Sequence, residues 1–214
     1  RALVRVTEQE SDKVSEVEGS SIVDIGYDDA QTLWIVDRPS GGVRVRLRAS
    51  GKLSSLETSA LRGIVVDSFD LSPDESRYVI EGRASGREQV WTGLVMRDRA
   101  GRPTRLARPR VVDTPGTNPR EVSWTSPTTL VYLVDAGEGQ LVRRVRVDGS
   151  VVDEPRDFSS SFLSEAGITS LVSGRSDRPG LYATDRRDRL WFKPHDNTWR
   201  VVSTSKVTAL SSGG

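Results

Sequence analysis

Apolar and polar positions alternate in this chain over short stretches and rarely recur at helical spacing. VRVRLR (Val43 to Arg48) alternates strictly, and VRRVRV (Val142 to Val147) does so over its second half. Apolar residues at i, i+3, i+4 and i+7 are not sustained over three turns anywhere, so the period is that of strands. Gly, Pro, Asp, Asn and Ser interrupt the runs, as turns require. The stretch SFDLSPDESRYVIEGRASGREQVWTGLV (Ser68 to Val95) shows one unit. Phe69 and Leu71 alternate, Ser72-Pro73-Asp74 breaks the run, Tyr78-Val79-Ile80 resumes it, and Val90-Trp91 to Leu94-Val95 follows a Gly-containing break.

That unit recurs. Laying DIGYDDAQTLWIVD (Asp24 to Asp37) on EVSWTSPTTLVYLVD (Glu121 to Asp135) puts Ile25 on Val122, Tyr27 on Trp124, Leu33 on Leu130 and Val36 on Leu133. Phe69 and Leu71 fall on Ile25 and Tyr27 in turn. A weaker copy, ITSLVSGRSDRPGLYATD (Ile168 to Asp185), puts Leu171 in the Tyr27 place. The anchors Tyr27, Leu71, Trp124 and Leu171 stand 44, 53 and 47 residues apart. Strand-built periods of about 40–50 residues are those of propeller blades. Third strands are expected at Val43 to Leu47, Gln89 to Val95, Leu141 to Val147 and Leu190 to Lys193, with a short fourth strand after each, such as Trp199 to Val202.

The expected fold is therefore all-β: a single β-propeller domain or fragment of four-stranded antiparallel blades. The blades fall at 19–63, 64–115, 116–163 and 164–205, with a partial blade at 1–18 and a closing strand or tail at 206–214. Four clear blades plus one partial leave a five-bladed ring and a truncated larger one both open. One sheet cannot bury both its faces alone, so the four anchors are read as packing residues between stacked blades. Arg44, Arg46 and Arg48 share one strand face, which suggests an outer, solvent-facing strand.

Composition narrows the function classes. Of 214 residues, 35% are hydrophobic and 29% charged, enough for one large all-β domain or two small ones. A net charge of +1 gives no global pull toward nucleic acid or membrane. No apolar run approaches the ~18 residues of a bilayer span. No export signal opens the chain, and Arg rather than Met in first place suggests an excised piece with any signal upstream. The absence of Cys removes disulfides, thiolate nucleophiles and cysteine metal sites. Arginine supplies 27 of the basic residues and lysine only 4, the habit of a GC-rich genome.

Candidate chemistry is sparse. His195, in the turn KPHDNTW, is the single histidine and is read as a solvated turn residue. Zinc sites and histidine relays then lack ligands, and no Gly-x-Ser-x-Gly elbow accompanies it. The acidic pairs Asp28-Asp29, Asp74-Glu75, and Asp185 with Asp188 could bind Ca²⁺ or serve as acid and base. They stand at comparable places in hairpins, so turn chemistry is the preferred reading. GRASGRE (Gly82 to Glu88) lacks the Lys-Ser/Thr and the helix of a phosphate loop. RDRAGRPTRLARPR (Arg97 to Arg110) has six Arg and one Asp. It is read first as a solvated edge, then as a surface for a protein partner or a polyanion. No aromatics interleave it for strand stacking. No catalytic, cofactor-binding or metal residue is assigned, and partner-binding residues are unknown.

Taken in order, SIVDIGYDDAQTLWIVDR, FDLSPDESRYVIEGRASGREQVWTGLV, EVSWTSPTTLVYLV and LYATDRRDRLWFKPHDNTWRVV resemble the C-terminal β-propeller region of the actinobacterial lipoprotein LpqB, over roughly residues 19 to 204. The resemblance implies a lipid-anchored protein on the outer side of the cytoplasmic membrane, with the anchor and a GerMN-type domain upstream of this chain. It also implies a partner, the extracytoplasmic part of the MtrB sensor kinase of the MtrA–MtrB two-component system, in envelope homeostasis and division. It brings no catalytic motif onto particular positions. The expected function is a non-enzymatic protein-interaction module of a cell-envelope lipoprotein. The alternatives are a propeller hydrolase or lactonase with a channel metal, and a module binding envelope polymers or anionic lipid through Arg97 to Arg110.

Overall fold

The computed structural model describes residues 2–6, 11–16, 21–39, 42–49, 52–112, 118–136, 139–152, 167–173, 180–194, 199–205 and 207. Strands β1 (Ala2–Val6) and β2 (Ser11–Glu16) pair antiparallel as a sheet of their own. Four meanders follow. The first blade is β3 (Ser21–Tyr27), β4 (Leu33–Arg38), β5 (Arg44–Ala49) and β6 (Lys52–Ser55); the second is β7 (Val65–Leu71), β8 (Arg77–Ala84), β9 (Arg87–Arg97) and β10 (Pro103–Val111). The third has, among the described residues, β11 (Arg120–Ser126), β12 (Thr129–Ala136) and β13 (Gly139–Arg146), and Val151 bridges Val145. β14 (Ile168–Ser173), β15 (Leu181–Asp185), β16 (Leu190–Lys193) and β17 (Arg200–Ser203) form the fourth. The first strands of successive blades pack on one another, β3 on β7, β7 on β11 and β11 on β14. The architecture is a β-propeller.

Strand alternation explains why the sheets stack. Successive side chains point to opposite faces, so one strand can feed two neighbours. Tyr78 and Ile80 join Trp34, Val36, Val45 and Val66 in the seam between the first two blades. Val79, between them, turns the other way to Val90, Trp124, Leu130 and Tyr132 in the next seam. Val131 and Leu133 in turn meet Ile168, Leu171, Leu181 and Ala183 of the fourth blade. This double burial is why second strands read as unbroken apolar runs. Each large side chain so buried contributes about 1.5–3 kcal/mol.

The first seam has an aromatic centre. The rings of Trp34, Phe69 and Tyr78 stack in series with centroids 6.0 and 6.1 Å apart. Gly93, paired with Tyr78 across β8 and β9, makes room for it, because a Cβ there would overlap the phenol ring. The Tyr78 hydroxyl donates to the Ala107 carbonyl at 3.4 Å. Of the four sequence anchors, Trp124 and Leu171 are buried and Leu71 is partly buried against the first seam. The Tyr27 side chain lies outside the described ones.

The reading of Arg44, Arg46 and Arg48 as a solvent-facing row is corrected. Arg46 is buried and Arg44 and Arg48 are partly so. The fully buried Asp37 on β4 takes Arg44 at 2.5 Å and the Arg46 Nε at 3.2 Å, and this pairing is what lets guanidinium groups sit inside. The outer edge of β10 is also covered. Glu57, from the link between the first two blades, donates its N–H to the Thr104 carbonyl at 3.1 Å and accepts the Leu106 N–H at 3.0 Å. A free strand edge is thereby blunted. In the tail, Val207 is described; its N–H donates to the Asp188 carbonyl at 3.1 Å, on the fourth blade.

Candidate functional site

The turn carboxylates come first, because they carried the sequence's best chance of acid–base or metal chemistry. Asp28, Asp98 and Asp185 head the same hairpin turn. In each, the Asp N–H donates to the residue four places on (Thr32 at 3.2 Å, Arg102 at 2.9 Å, Arg189 at 3.3 Å). The residue three places on holds a positive φ: 59° at Gln31, 78° at Gly101 and 58° at Asp188. The Asp Oδ1 accepts the N–H of the fourth following residue at 2.7, 2.9 and 3.0 Å respectively. Short carboxyl side chains favour this local backbone bonding.

Two of these turns share a further device. The second oxygen of Asp28 accepts the Trp34 indole N–H at 3.0 Å, and that of Asp185 accepts the Trp191 indole N–H at 2.9 Å. DDAQTLW and DRRDRLW are thus one heptapeptide, Asp at the start and Leu-Trp at the end, used twice. The recurrence is visible in the sequence, but strand-by-strand alignment passes over it because the two copies close different hairpins of their blades. Asp185 also accepts the Arg189 Nε at 2.7 Å, and that guanidinium lies 5.0 Å from the Trp191 ring centre. Burial alone would push the Asp185 carboxyl up. The Trp191 indole, the Arg189 backbone and side chain, and the Arg187 N–H outweigh it and bring it down to about 2.

The remaining acidic candidates are similarly engaged. Asp74 accepts from the Ser72 hydroxyl at 2.6 Å and the Ser76 hydroxyl at 2.8 Å. Glu75 clips two blades together, taking the Asp29 N–H at 2.5 Å and Arg97 at 2.9 Å. Among the described residues, no group of three or more His, Cys, Asp or Glu could hold a metal ion. His195 lies outside the described residues.

The inner strands hold a pair that the sequence reading missed. Asp24 on β3 accepts the Ile25 N–H at 2.8 Å and, across the seam, the Phe69 N–H at 3.0 Å. Asp70 on β7 accepts the Leu71 N–H at 2.8 Å. Burial pushes the Asp70 carboxyl up to about 7, against the pull of the Leu71 N–H and with help from the Asp24 charge. Burial also raises Asp24. In the sequence both read as ordinary polar positions of alternating strands.

The stretch Arg97 to Arg110 runs along β9 and β10. Arg97 pairs with Glu75 at 2.9 Å, Arg102 with Asp98 at 2.9 Å, and Arg105 reaches Glu57 at 4.0 Å. Arg99, Arg108 and Arg110 are exposed, Arg110 beside Asp148. Half of the run is therefore committed to acids of its own surface.

Strands stacked in this way, with the turn carboxylates serving their own backbone, define a β-propeller scaffold. The profile of one family, the lipoprotein LpqB β-propeller domain, matches residues 1–210. The chain belongs to that family. Among solved structures it is similar to a protein described as TolB of Agrobacterium tumefaciens (11% identity, TM-score 0.63, covering 91% of this chain and 66% of that one). It is similar to a periplasmic gluconolactonase of Pseudomonas aeruginosa (13%, 0.57, 97% and 64%) and to a puromycin-hydrolysing peptidase of Mycobacterium tuberculosis (14%, 0.57, 91% and 34%). The chain spans 66% or less of the length of these three, and likeness at such identity is of fold alone. No curated protein matches it.

Proposed function

We propose that this propeller is a non-enzymatic protein-interaction module of a cell-envelope lipoprotein, held outside the cytoplasmic membrane by an anchor elsewhere in the protein. Its partner is the extracytoplasmic domain of a sensor kinase of the MtrB type, whose signalling it modulates. Membership of the LpqB propeller family supports the envelope setting. The observation that carries the scaffold reading is the engagement of Asp28, Asp74, Asp98 and Asp185 in turn hydrogen bonds, which leaves them to shape loops rather than to move protons. Rigid loops on stacked blades form a surface suited to docking.

The test is an equilibrium titration of the purified chain, and of the complete lipoprotein, with the kinase ectodomain. Saturable one-to-one binding is expected. If neither form binds, the partner assignment is wrong. Unchanged binding after Arg99, Arg108 and Arg110 are together replaced by Ser would place the contact away from that edge.

A further inference from the structure

The face of the third blade that turns to the fourth carries two guanidinium groups at its rim. Val142, opposite Leu133, is buried in that seam beside Ile168, Leu171, Leu181 and Ala183. Side chains two places apart on a strand share a face, so Arg144 and Arg146 follow Val142 out of the seam. Val131 stands opposite Arg144, and Thr129 opposite Arg146. Exposure rises along the row: Val142 is buried, Arg144 and Thr129 are half-buried, and Arg146 is exposed.

The backbone beneath the two arginines is fixed. The Arg144 carbonyl accepts the Val152 N–H at 3.0 Å. The Arg146 N–H donates to the Ser150 carbonyl at 2.9 Å, and the Arg146 carbonyl accepts the Gly149 N–H at 2.8 Å. Asp148, inside that turn, accepts the Ser150 N–H at 2.8 Å and its hydroxyl at 2.6 Å. Those two bonds hold the Asp148 carboxyl below the usual carboxylate range, and the Arg146 charge adds less.

Other arginines withdrawn from solvent are paired: Arg46 with Asp37, Arg97 with Glu75 and Arg189 with Asp185. Among the described residues neither Arg144 nor Arg146 has an ion pair, and the Arg144 Nε is shut off from solvent without an acceptor. Burial pulls the Arg144 guanidinium below its ordinary value. We propose that Arg144 and Arg146, with the Thr129 hydroxyl, form a binding site for a phosphate monoester. Two forked cations and a hydroxyl match a dianion with three acceptor oxygens. A paired strand holds them at fixed spacing. The site lies on a different blade from the Arg97 to Arg110 run, and it stands whether or not the propeller's partner is a kinase.

The experiment follows the arginine Nε–H resonances of the isotope-labelled 214-residue chain by NMR as sodium phosphate is added. Ionic strength is held constant at about pH 8, where phosphate is a dianion, and sodium acetate is the control. The expected result is a saturable shift of the Arg144 Nε–H with phosphate and none with acetate. Arg144→Gln, read at Arg146, should weaken phosphate binding about tenfold. Arg146→Gln, read at Arg144, should do the same and provides the readout should Arg144→Gln not fold. Glycerol phosphate and vesicles containing phosphatidic acid separate two sources of the group. Binding of glycerol phosphate alone assigns a soluble monoester; vesicle capture that Arg144→Gln abolishes assigns a lipid headgroup. Inorganic phosphate binding with neither of these would be an adventitious ion only and would overturn the proposal. So would a phosphate titration without a saturable Arg144 shift, an equal response to acetate, or unchanged phosphate affinity in either variant.

Discussion

The two seams of the second blade draw on the same strands yet are built differently. On one side the stacked rings of Trp34, Phe69 and Tyr78 fill the contact with the first blade, and Arg38 donates to the Val66 carbonyl. On the other, aliphatic Val79 and Val90 meet Trp124 and Tyr132, and Glu81, two places beyond Val79 on the same strand, has its carboxyl pushed up to about 7 by burial. The difference teaches that strand alternation alone can give one blade a seam filled by stacked rings and another filled largely by aliphatic side chains.

Breaking the first seam should have the largest effect. Tyr78→Ala removes the ring at the end of the stack and should cost about 3–5 kcal/mol in urea unfolding. A loss under about 1 kcal/mol would mean that the aromatic contact is slack. Gly93→Ala drives a methyl into the same ring and should cost about 1–3 kcal/mol. Gly93→Ala in a Tyr78→Ala background should cost far less, a double-mutant cycle that isolates the contact.

Asp185→Asn probes a turn remote from both seams and should cost about 1.5 kcal/mol at neutral pH, since it weakens charge-assisted hydrogen bonds. Its pH dependence runs opposite to that of Asp70. With its carboxyl held near 2, Asp185 stabilises the fold above its ordinary value of 3.8, and that contribution drains away as pH falls through about 2. Acid unfolding of Asp185→Asn should therefore be shallower than that of the native chain. Asp70→Asn tests the inner strands. Asp70 is raised to about 7, so its stabilising contribution is complete below 3.8 and lost as pH rises through about 7. The variant should gain melting temperature relative to the native chain near about pH 8 and show little difference near about pH 3. Arg105→Ser should be the smallest effect, within about 0.5 kcal/mol, because its pairing with Glu57 spans 4.0 Å at an exposed edge.

Self-alignment of the sequence made the blades legible because the constraint is repetitive. Trp124 and Leu171 recur in phase, and each is buried against a neighbouring sheet. The two strands of 1–18 are present as β1 and β2, and the stretch Gln89 to Val95 lies inside the longer β9. What could not be read depends on contacts between blades. Arg46 looks like a surface residue until the buried Asp37, nine places earlier on the adjacent strand, is set beside it. Glu81 looks like an outward polar position, because the neighbouring blade that helps bury it is not encoded locally. Asp24 and Asp70 were hidden for the same reason, each reading as one polar step in an alternating strand. In the third blade Val151 bridges Val145 just after the Arg146–Ser150 turn, and most of the stretch expected to carry that blade's fourth strand lies outside the described residues.

The five tryptophans are placed to test whether the sheets stand as one body: Trp34 in the first blade, Trp91 in the second, Trp124 in the third, and Trp191 with Trp199 at the fourth. Fluorine-labelled tryptophan followed by NMR through a urea titration gives each blade its own signal. Sheets that share every seam should lose all five native resonances in one coincident transition. Loss of Trp191 and Trp199 at a urea concentration where Trp34 and Trp91 keep full native intensity would contradict the shared packing from which the scaffold role derives.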